Sequence, residues 1–336
     1  MSILQSRLEK YLHRKNNRLA FEPLTPDASN REYYRIAWND ETAVACVYPD
    51  PFAAVEQSYL DVTNLFRRCG LPVAEIIDFD ETLGVIVMAD MGDTILRNAL
   101  ENCTSAERDR LINHAIALIA RIQAATEEAY ALDSIASRLK FDVEKLNWEL
   151  QYFKTHYFTT LRNAALKGVI SAEMDAEFIA LAGELEERAA VLCHRDYHAA
   201  NLMIDRRGNL RIIDHQDARI GPVTYDLVSL LLDRVTEIPS PTYILEKQEL
   251  FLSERNRLGL PSIEWADFSE EFRLQTIQRC LKAAGTFSYQ AAARGHSRYL
   301  QFIGPMFRIT LAAIKDLGRF PVIGSVIKTE ISRHQE

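Results

Sequence analysis

Cysteine is sparse and unpaired in the 336-residue chain: Cys46, Cys69, Cys103, Cys193 and Cys280 form no CxxC pair. Their odd number and wide spacing argue against both a disulfide framework and a zinc site. Cys193, among apolar neighbours, reads as a buried structural thiol. No segment reaches the roughly 18 consecutive apolar residues of a membrane helix. The opening MSILQSRLEKYLHRKNN lacks the apolar block and small-residue cleavage site of a secretory leader, so the expected compartment is the cytoplasm and no membrane partner is expected. Positive charge is in deficit. Lys and Arg number 39 against 47 Asp and Glu, a formal net charge of −8. A nucleic-acid binder needs clustered cations to neutralise phosphates, and this balance argues against one. A small anionic ligand needs only a local cationic or metal-lined pocket and stays open. Internal repeats and low-complexity tracts are absent.

What is present is ordinary globular material, 48% hydrophobic and 26% charged, long enough for about two domains or lobes. The first residues read as an amphipathic helix with Ile3, Leu4, Leu8, Tyr11 and Leu12 on one side. REYYRIAW and ETAVACVY are β-prone runs joined by Asn39-Asp40, a hairpin turn signal. A helical spacing through Val55, Tyr59, Val62, Leu65 and Phe66 follows, stopped at Gly70. AEIIDFD and LGVIVMAD are two more strands. Beyond MGDT the pattern turns helical over 106–130, 142–167 and 171–189. Short apolar strands AAVLCH, NLMID and LRIIDH surround a loop and the turn Arg206-Arg207-Gly208-Asn209, and the chain from 224 onward is again mainly helical. The expected class is α+β: a small sheet-containing lobe over 1–90, then a larger, mainly helical lobe over 91–336.

Chemistry concentrates in CHRDYHAANLMIDRRGNLRIIDHQDA. Asn201 lies five positions after Asp196 and Asp214 eighteen after it, with a β-hairpin between the last two. One carboxylate near a hydroxyl can accept its proton. An amide oxygen and a second carboxylate can hold Mg²⁺, a hard ion that keeps waters and phosphates in its shell. Phosphoryl transfer asks for this division of labour, positioning plus charge neutralisation.

HRDYHAANLMI, followed by IIDHQDARIGPVTYDL, resembles the aminoglycoside phosphotransferase-like kinases, relatives of the protein kinases. Within them it looks most like the bacterial anomeric kinases of cell-wall amino sugars, with DASNREYYR and IQRCLKAAGTFSYQ fitting as well. The resemblance implies a two-lobed protein-kinase-like fold and ATP- and Mg²⁺-dependent phosphorylation of an N-acetylmuramate- or N-acetylglucosamine-type sugar in peptidoglycan recycling. The residues 1–90 would bind nucleotide and 91–336 would hold catalytic and acceptor groups. Asp196 would be the catalytic base, Asn201 and Asp214 the metal ligands, and Asp226 a tie between catalytic loop and following helix. His194 would orient the loop. His198 would approach the phosphates or cap the loop, and Asp217 would contact substrate or merely turn the chain. Another hydroxyl acceptor, such as an aminoglycoside or amino alcohol, and a non-catalytic nucleotide-binding protein remain as alternatives.

Two family features are missing. PDASNREYYRI stands where a glycine-rich phosphate loop would be and has no glycine, leaving Ser29, Asn30 and Arg31 as phosphate candidates. The strand ETAVACVYPD lacks the lysine that kinases use on the α- and β-phosphates; Arg31 or Arg35 could replace it, with Glu56 as a helix-borne partner. VIVMADMGDT reads as the hinge, with adenine contacted by backbone from Met88 to Asp90 and Val47 and Met88 as walls or plain core. For the acceptor, Asn147, Trp148, Tyr152, His156, Tyr289 and Arg298 are available. Arg279 and Lys282, three apart, could point one helix face at an anion.

Overall fold

The computed structural model describes residues 2–24 and 30–333. Its first helix, Ile3–Arg14, starts where the Ser2 hydroxyl accepts a hydrogen bond from the Gln5 amide, and its apolar spacing buries Leu8, Tyr11 and Leu12. Ile3, expected on that face, is exposed at the helix start. Strands β1 (Phe21–Leu24), β2 (Glu32–Trp38), β3 (Glu41–Val47), β4 (Ile76–Asp80) and β5 (Val85–Ala89) form an antiparallel sheet in the order β1-β2-β3-β5-β4. Asn39 turns β2 into β3 with a left-handed φ of 53°, as its Asn-Asp turn requires.

Period-two alternation gives this sheet two faces. Tyr34, Ile36, Ala43, Ala45 and Val47 pack with Leu8, Tyr11 and Leu12 of the first helix. Cys46, Ile86 and Met88, with Tyr33, Val44 and Tyr48 beside them, form the opposite cluster around Tyr59 of helix Ser58–Arg68. That helix begins three residues after Val55, where the apolar spacing starts, because the Gln57 side chain caps it by accepting from the Tyr59 amide. Val55 is therefore exposed, and Glu56 sits on a 3₁₀ turn, Ala54–Glu56, rather than on the helix.

Five short strands follow: β6 (Thr94–Ile95), β7 (Val191–Cys193), β8 (Leu202–Ile204), β9 (Leu210–Ile212) and β10 (Arg219–Gly221). The chain divides into two compact units. The first is Met1–Arg108, Glu128–Ala136 and Ala199–Asp217; the second is Asp109–Glu127, Ser137–His198 and Ala218–Glu336. Besides the five-stranded sheet, the first unit holds the three-stranded β6-β8-β9 sheet. The second pairs β7 with β10 and is otherwise helical. No helix among the described residues is long and apolar enough to cross a membrane.

The centre of the second unit is the helix Trp265–Ala292, which buries residues on every side. The helix expected over 142–167 is shorter. Val143–Phe153 continues as a π-helix, Lys154–Leu161. The pattern expected over 106–130 breaks into Ser105–Ala124 and Thr126–Ala131, where the Thr126 hydroxyl donates to the Gln123 carbonyl. At Gly285 the central helix meets the backbone of Phe153 so closely that a Cβ would lie 2.6 Å from Phe153 Cα. Backbone cannot swing aside as a side chain can. Gly285→Ala is therefore expected to destabilise the fold by about 1–3 kcal/mol, read as a lower denaturant midpoint at unchanged m-value.

Candidate active site

In the second unit the segment after β7 is held from below by the helix Tyr225–Leu232. Asp226, fully buried in its first turn, accepts from the backbone amides of His194 (2.7 Å) and Arg195 (3.1 Å). These bonds fix Arg195 at a left-handed φ of 86°, a strained state that needs such support. Burial pushes the Asp226 carboxyl upward, against the pull of those amides. Glu271 of the central helix accepts from both the amide and hydroxyl of Thr224 at the start of the same helix (2.8 and 2.9 Å). Tyr197 anchors the loop from the other direction by donating to the Ala115 carbonyl (2.9 Å).

The Asp196 carboxylate projects from this loop into three cations: Lys282 Nζ at 2.8 Å, Arg279 Nη1 at 3.7 Å and Arg195 Nε at 3.8 Å. Burial alone would raise its pKa, but Lys282, Arg195 and Arg279 outweigh it and hold the group well below the usual carboxylate range. Arg279 is 2% exposed and spreads its donors over the Arg195 carbonyl (3.2 Å), Tyr225 Oη (3.0 Å), Ser229 Oγ (2.8 Å) and Asp233 (2.7 Å). Arg279 and Lys282, expected to point one helix face at a substrate anion, both reach the Asp196 carboxylate. His198, whose amide donates to the Asp196 carbonyl (3.1 Å), has a buried Nδ1 without a hydrogen-bond partner among the described residues. Burial, then the Arg234 charge, push its imidazole down to about 4, so it is neutral at pH 7.

The first unit brings Asn201 and Asp214 together: Asn201 Nδ2 lies 3.4 Å from Asp214 Oδ2, and the Ile213 amide donates to the Asn201 carbonyl. Arg31 Nη2 reaches Asp214 Oδ1 at 3.3 Å, and its guanidinium stands 5.8 and 5.6 Å from the rings of Tyr33 and Tyr48. Arg31 thus lies on the Cys46–Tyr48 side of the sheet. Arg35 is engaged elsewhere, by Asp90 (2.8 Å) and Asp93 (2.6 Å). Asp90 also accepts from the Thr42 hydroxyl and the Gly92 amide, so its side chain ties β3 and β5 ends together. Met88 Sδ accepts from Tyr59 Oη (3.1 Å) within the core. Asn30 is exposed, Asp217 is partly buried, and Ser29 lies outside the described residues.

Two contributors carried no sequence signal beyond their neighbours. Asp214 has a left-handed φ of 60°, and the next residue, His215, is buried between Tyr59 and Phe66 with Nε2 2.7 Å from Thr63 Oγ1. Gln216 donates to Asp214 (2.9 Å). For Mg²⁺ the donor set fits. An amide and a carboxylate side by side offer two oxygen ligands, and this ion takes one or two such groups plus waters and phosphates.

Residues 20–260 match the model of the phosphotransferase enzyme family. The chain belongs to that family. It is an enzyme, a phosphotransferase acting on a hydroxyl. It is 28% identical over 275 residues to the N-acetylmuramate/N-acetylglucosamine kinase of Neisseria meningitidis serogroup B, covering 81% of this chain and 79% of that one. With the kinase of the same name from Pseudomonas aeruginosa it shares 26% over 306 residues, 91% and 87% of the two chains. The gentamicin complex of APH(2")-IIa superposes with a TM-score of 0.58 at 12% identity, over 91% of this chain and 97% of that one. Choline kinase LicA from Streptococcus pneumoniae gives 0.56 at 12%, over 90% and 99%. These likenesses establish the aminoglycoside phosphotransferase-like kinase fold, with a small antiparallel-sheet lobe and a mostly helical one.

Because Lys282 is the strongest cation on Asp196, Lys282→Met is expected to raise the carboxyl's pKa. With Asp196 as the candidate base, its protonation would stop turnover, so the acid limb of the kcat–pH profile should move to higher pH than in the wild type. An unmoved limb would show that this ion pair does not set the ionisation.

Proposed function

We propose that the chain is an ATP- and Mg²⁺-dependent kinase of the cytoplasm that phosphorylates the anomeric hydroxyl of a cell-wall amino sugar, N-acetylmuramate or N-acetylglucosamine. The observation that carries this reading is the cation ring around Asp196. Lys282, Arg279 and Arg195 within 4 Å of one carboxylate repel a polycationic aminoglycoside or a quaternary amino alcohol and tolerate a neutral or anionic sugar. The names of the relatives point the same way. A second physical match supports the anomeric position. The carboxylate is a weak base, and a hemiacetal hydroxyl is more acidic than an ordinary alcohol, so base and proton donor are better paired there than at other ring hydroxyls.

In this reading Asp196 orients the hydroxyl and accepts its proton late, as suits a loose, metaphosphate-like transition state. Arg279 and Asp226 keep the loop in place. Asn201 and Asp214 would hold Mg²⁺, which neutralises phosphate charge when bound. Arg31, beside Asp214, takes the part of the absent strand lysine on the phosphates, while Arg35 is occupied by Asp90 and Asp93. Nucleotide binding belongs to 1–90, with Ser29, Asn30 and backbone near Met88–Asp90 contributing; catalytic and acceptor groups belong to 91–336. In physiological terms the product would feed peptidoglycan recycling.

The deciding experiment is a product-resolved assay with labelled ATP against N-acetylmuramate, N-acetylglucosamine, an aminoglycoside and choline, with the position of the new phosphate read by NMR. A 1-phosphate of either sugar supports the proposal. Product from the cationic acceptors alone, or no ATP consumption at all, overturns it in favour of another hydroxyl acceptor or a non-catalytic nucleotide binder. Asp196→Asn should keep ATP binding and lose roughly 10²–10⁴-fold in kcat. Asp214→Ala should raise the Mg²⁺ concentration needed for half-maximal rate, with Asn201→Ala milder, since an amide supplies a ligand without charge. Arg31→Ala should cost roughly tenfold to a hundredfold in kcat/KM for ATP, with acceptor KM little moved and Arg35→Ala affecting stability instead.

A further inference from the structure

The helix Val143–Phe153 and its π-helical extension carry Lys145, Trp148, Tyr152 and His156 at steps of three, four and four, which places them along one side. Their rings follow one another: Trp148 to Tyr152 at 5.5 Å, and Tyr152 to His156 at 4.1 Å. Tyr289 joins them from the central helix, 4.9 Å from His156 and 6.1 Å from Tyr152. Two turns before Tyr289 on that helix stands Lys282, the closest cation to Asp196. The aromatic row and Lys282, the cation paired with the candidate base, therefore belong to one pair of packed helices in the second unit.

At one end of the row the Lys145 ammonium stands 4.3 Å from the centre of the Trp148 ring. No carboxylate lies within ion-pair distance of it among the described residues. Burial lowers its pKa; Glu149 one helical turn away opposes this, and Arg195, Arg219 and Lys282 add to it. An ammonium in the field of three further cations, over the face of a Trp that is itself 54% exposed, is an arrangement that an incoming anion relieves. A row of rings, exposed at Trp148 and half-buried beyond it, matches the apolar face of a pyranose, and one charged group at its end fixes orientation, as small-molecule sites are commonly built.

We propose that this row is the acceptor subsite, with the sugar ring against Trp148 and Tyr152 and Lys145 receiving a carboxylate carried on the sugar, so that the enzyme prefers a carboxylate-bearing amino sugar to its neutral counterpart. The inference rests on the amino-sugar kinase reading above and adds to it the residue that discriminates between the two sugars. Lys282 serves Asp196 and Lys145 serves the substituent.

The test is the selectivity ratio, kcat/KM for N-acetylmuramate over that for N-acetylglucosamine, which does not depend on how much of a variant is folded. Wild type should favour N-acetylmuramate. Lys145→Met should cut the ratio by roughly tenfold to a hundredfold, the value of a charge-assisted contact, chiefly through the N-acetylmuramate KM. Lys145→Arg should restore most of it. Trp148→Ala should raise KM for both sugars and leave the ratio near that of wild type. A Lys145→Met ratio within twofold of wild type, while both sugars are turned over, overturns the subsite and leaves the kinase reading intact. Turnover of neither sugar by the wild type overturns both.

Discussion

A buried guanidinium with nowhere else to go organises the second unit. Arg279 is all but inaccessible, and the cost of leaving a charge there unpaired is large. The surrounding chain is therefore obliged to bring it acceptors from several places: the Arg195 carbonyl of the loop bearing Asp196, a hydroxyl and a serine of the helix Tyr225–Leu232, and the carboxylate of Asp233 beyond that helix. Satisfying one residue of the central helix fixes the spacing between that helix, the helix Tyr225–Leu232 and the loop bearing Asp196. Asp226 then finishes the task by taking the two backbone amides that the strained turn at Arg195 would otherwise leave without a strong acceptor.

The first unit solves a different problem with similar means. The strand that could offer a lysine has none, and Arg31 brings a cation to Asp214 from just before β2, beside the pair proposed to hold the metal. Two tyrosine rings line its path. Asp214, held at a left-handed backbone angle, is backed by a residue that is polar yet wholly enclosed. His215 lies against Tyr59 and Phe66 and meets Thr63, so the helix Ser58–Arg68 acts on the acidic tip of β9 through packing rather than through an ion pair from Glu56.

Much of this could be read from local patterns. Alternation in REYYRIAW and ETAVACVY, the Asn39-Asp40 turn and the spacing of Asp196, Asn201 and Asp214 are short-range features, and they lead to the sheet and to the two candidate clusters. What escaped reading is long-range or too short to have a period. β1 and β10 have four and three residues and no alternation to detect. The start of the helix at Ser58 depends on a glutamine cap, where hydrophobic spacing alone extends it backwards. The spacing of Arg279 and Lys282 announces an anion, but its identity needs the fold, because Asp196 lies more than eighty residues earlier. Asp90 looked like a hinge residue for its backbone, while its side chain turns out to anchor Arg35.

The π-helical stretch Lys154–Leu161 has an evolutionary reading. Such a turn amounts to one residue more than an α-helix needs. Losing one residue there would rotate everything on one side of the deletion by about 100° relative to the other. His156 would leave its place beside Tyr152 and Tyr289, while the loop with Asp196 and the hairpin with Asn201 and Asp214 would be untouched in sequence. With the acceptor held by the aromatic row, as proposed, a single-codon deletion there would rebuild that subsite and leave Asp196, Asn201 and Asp214 in place.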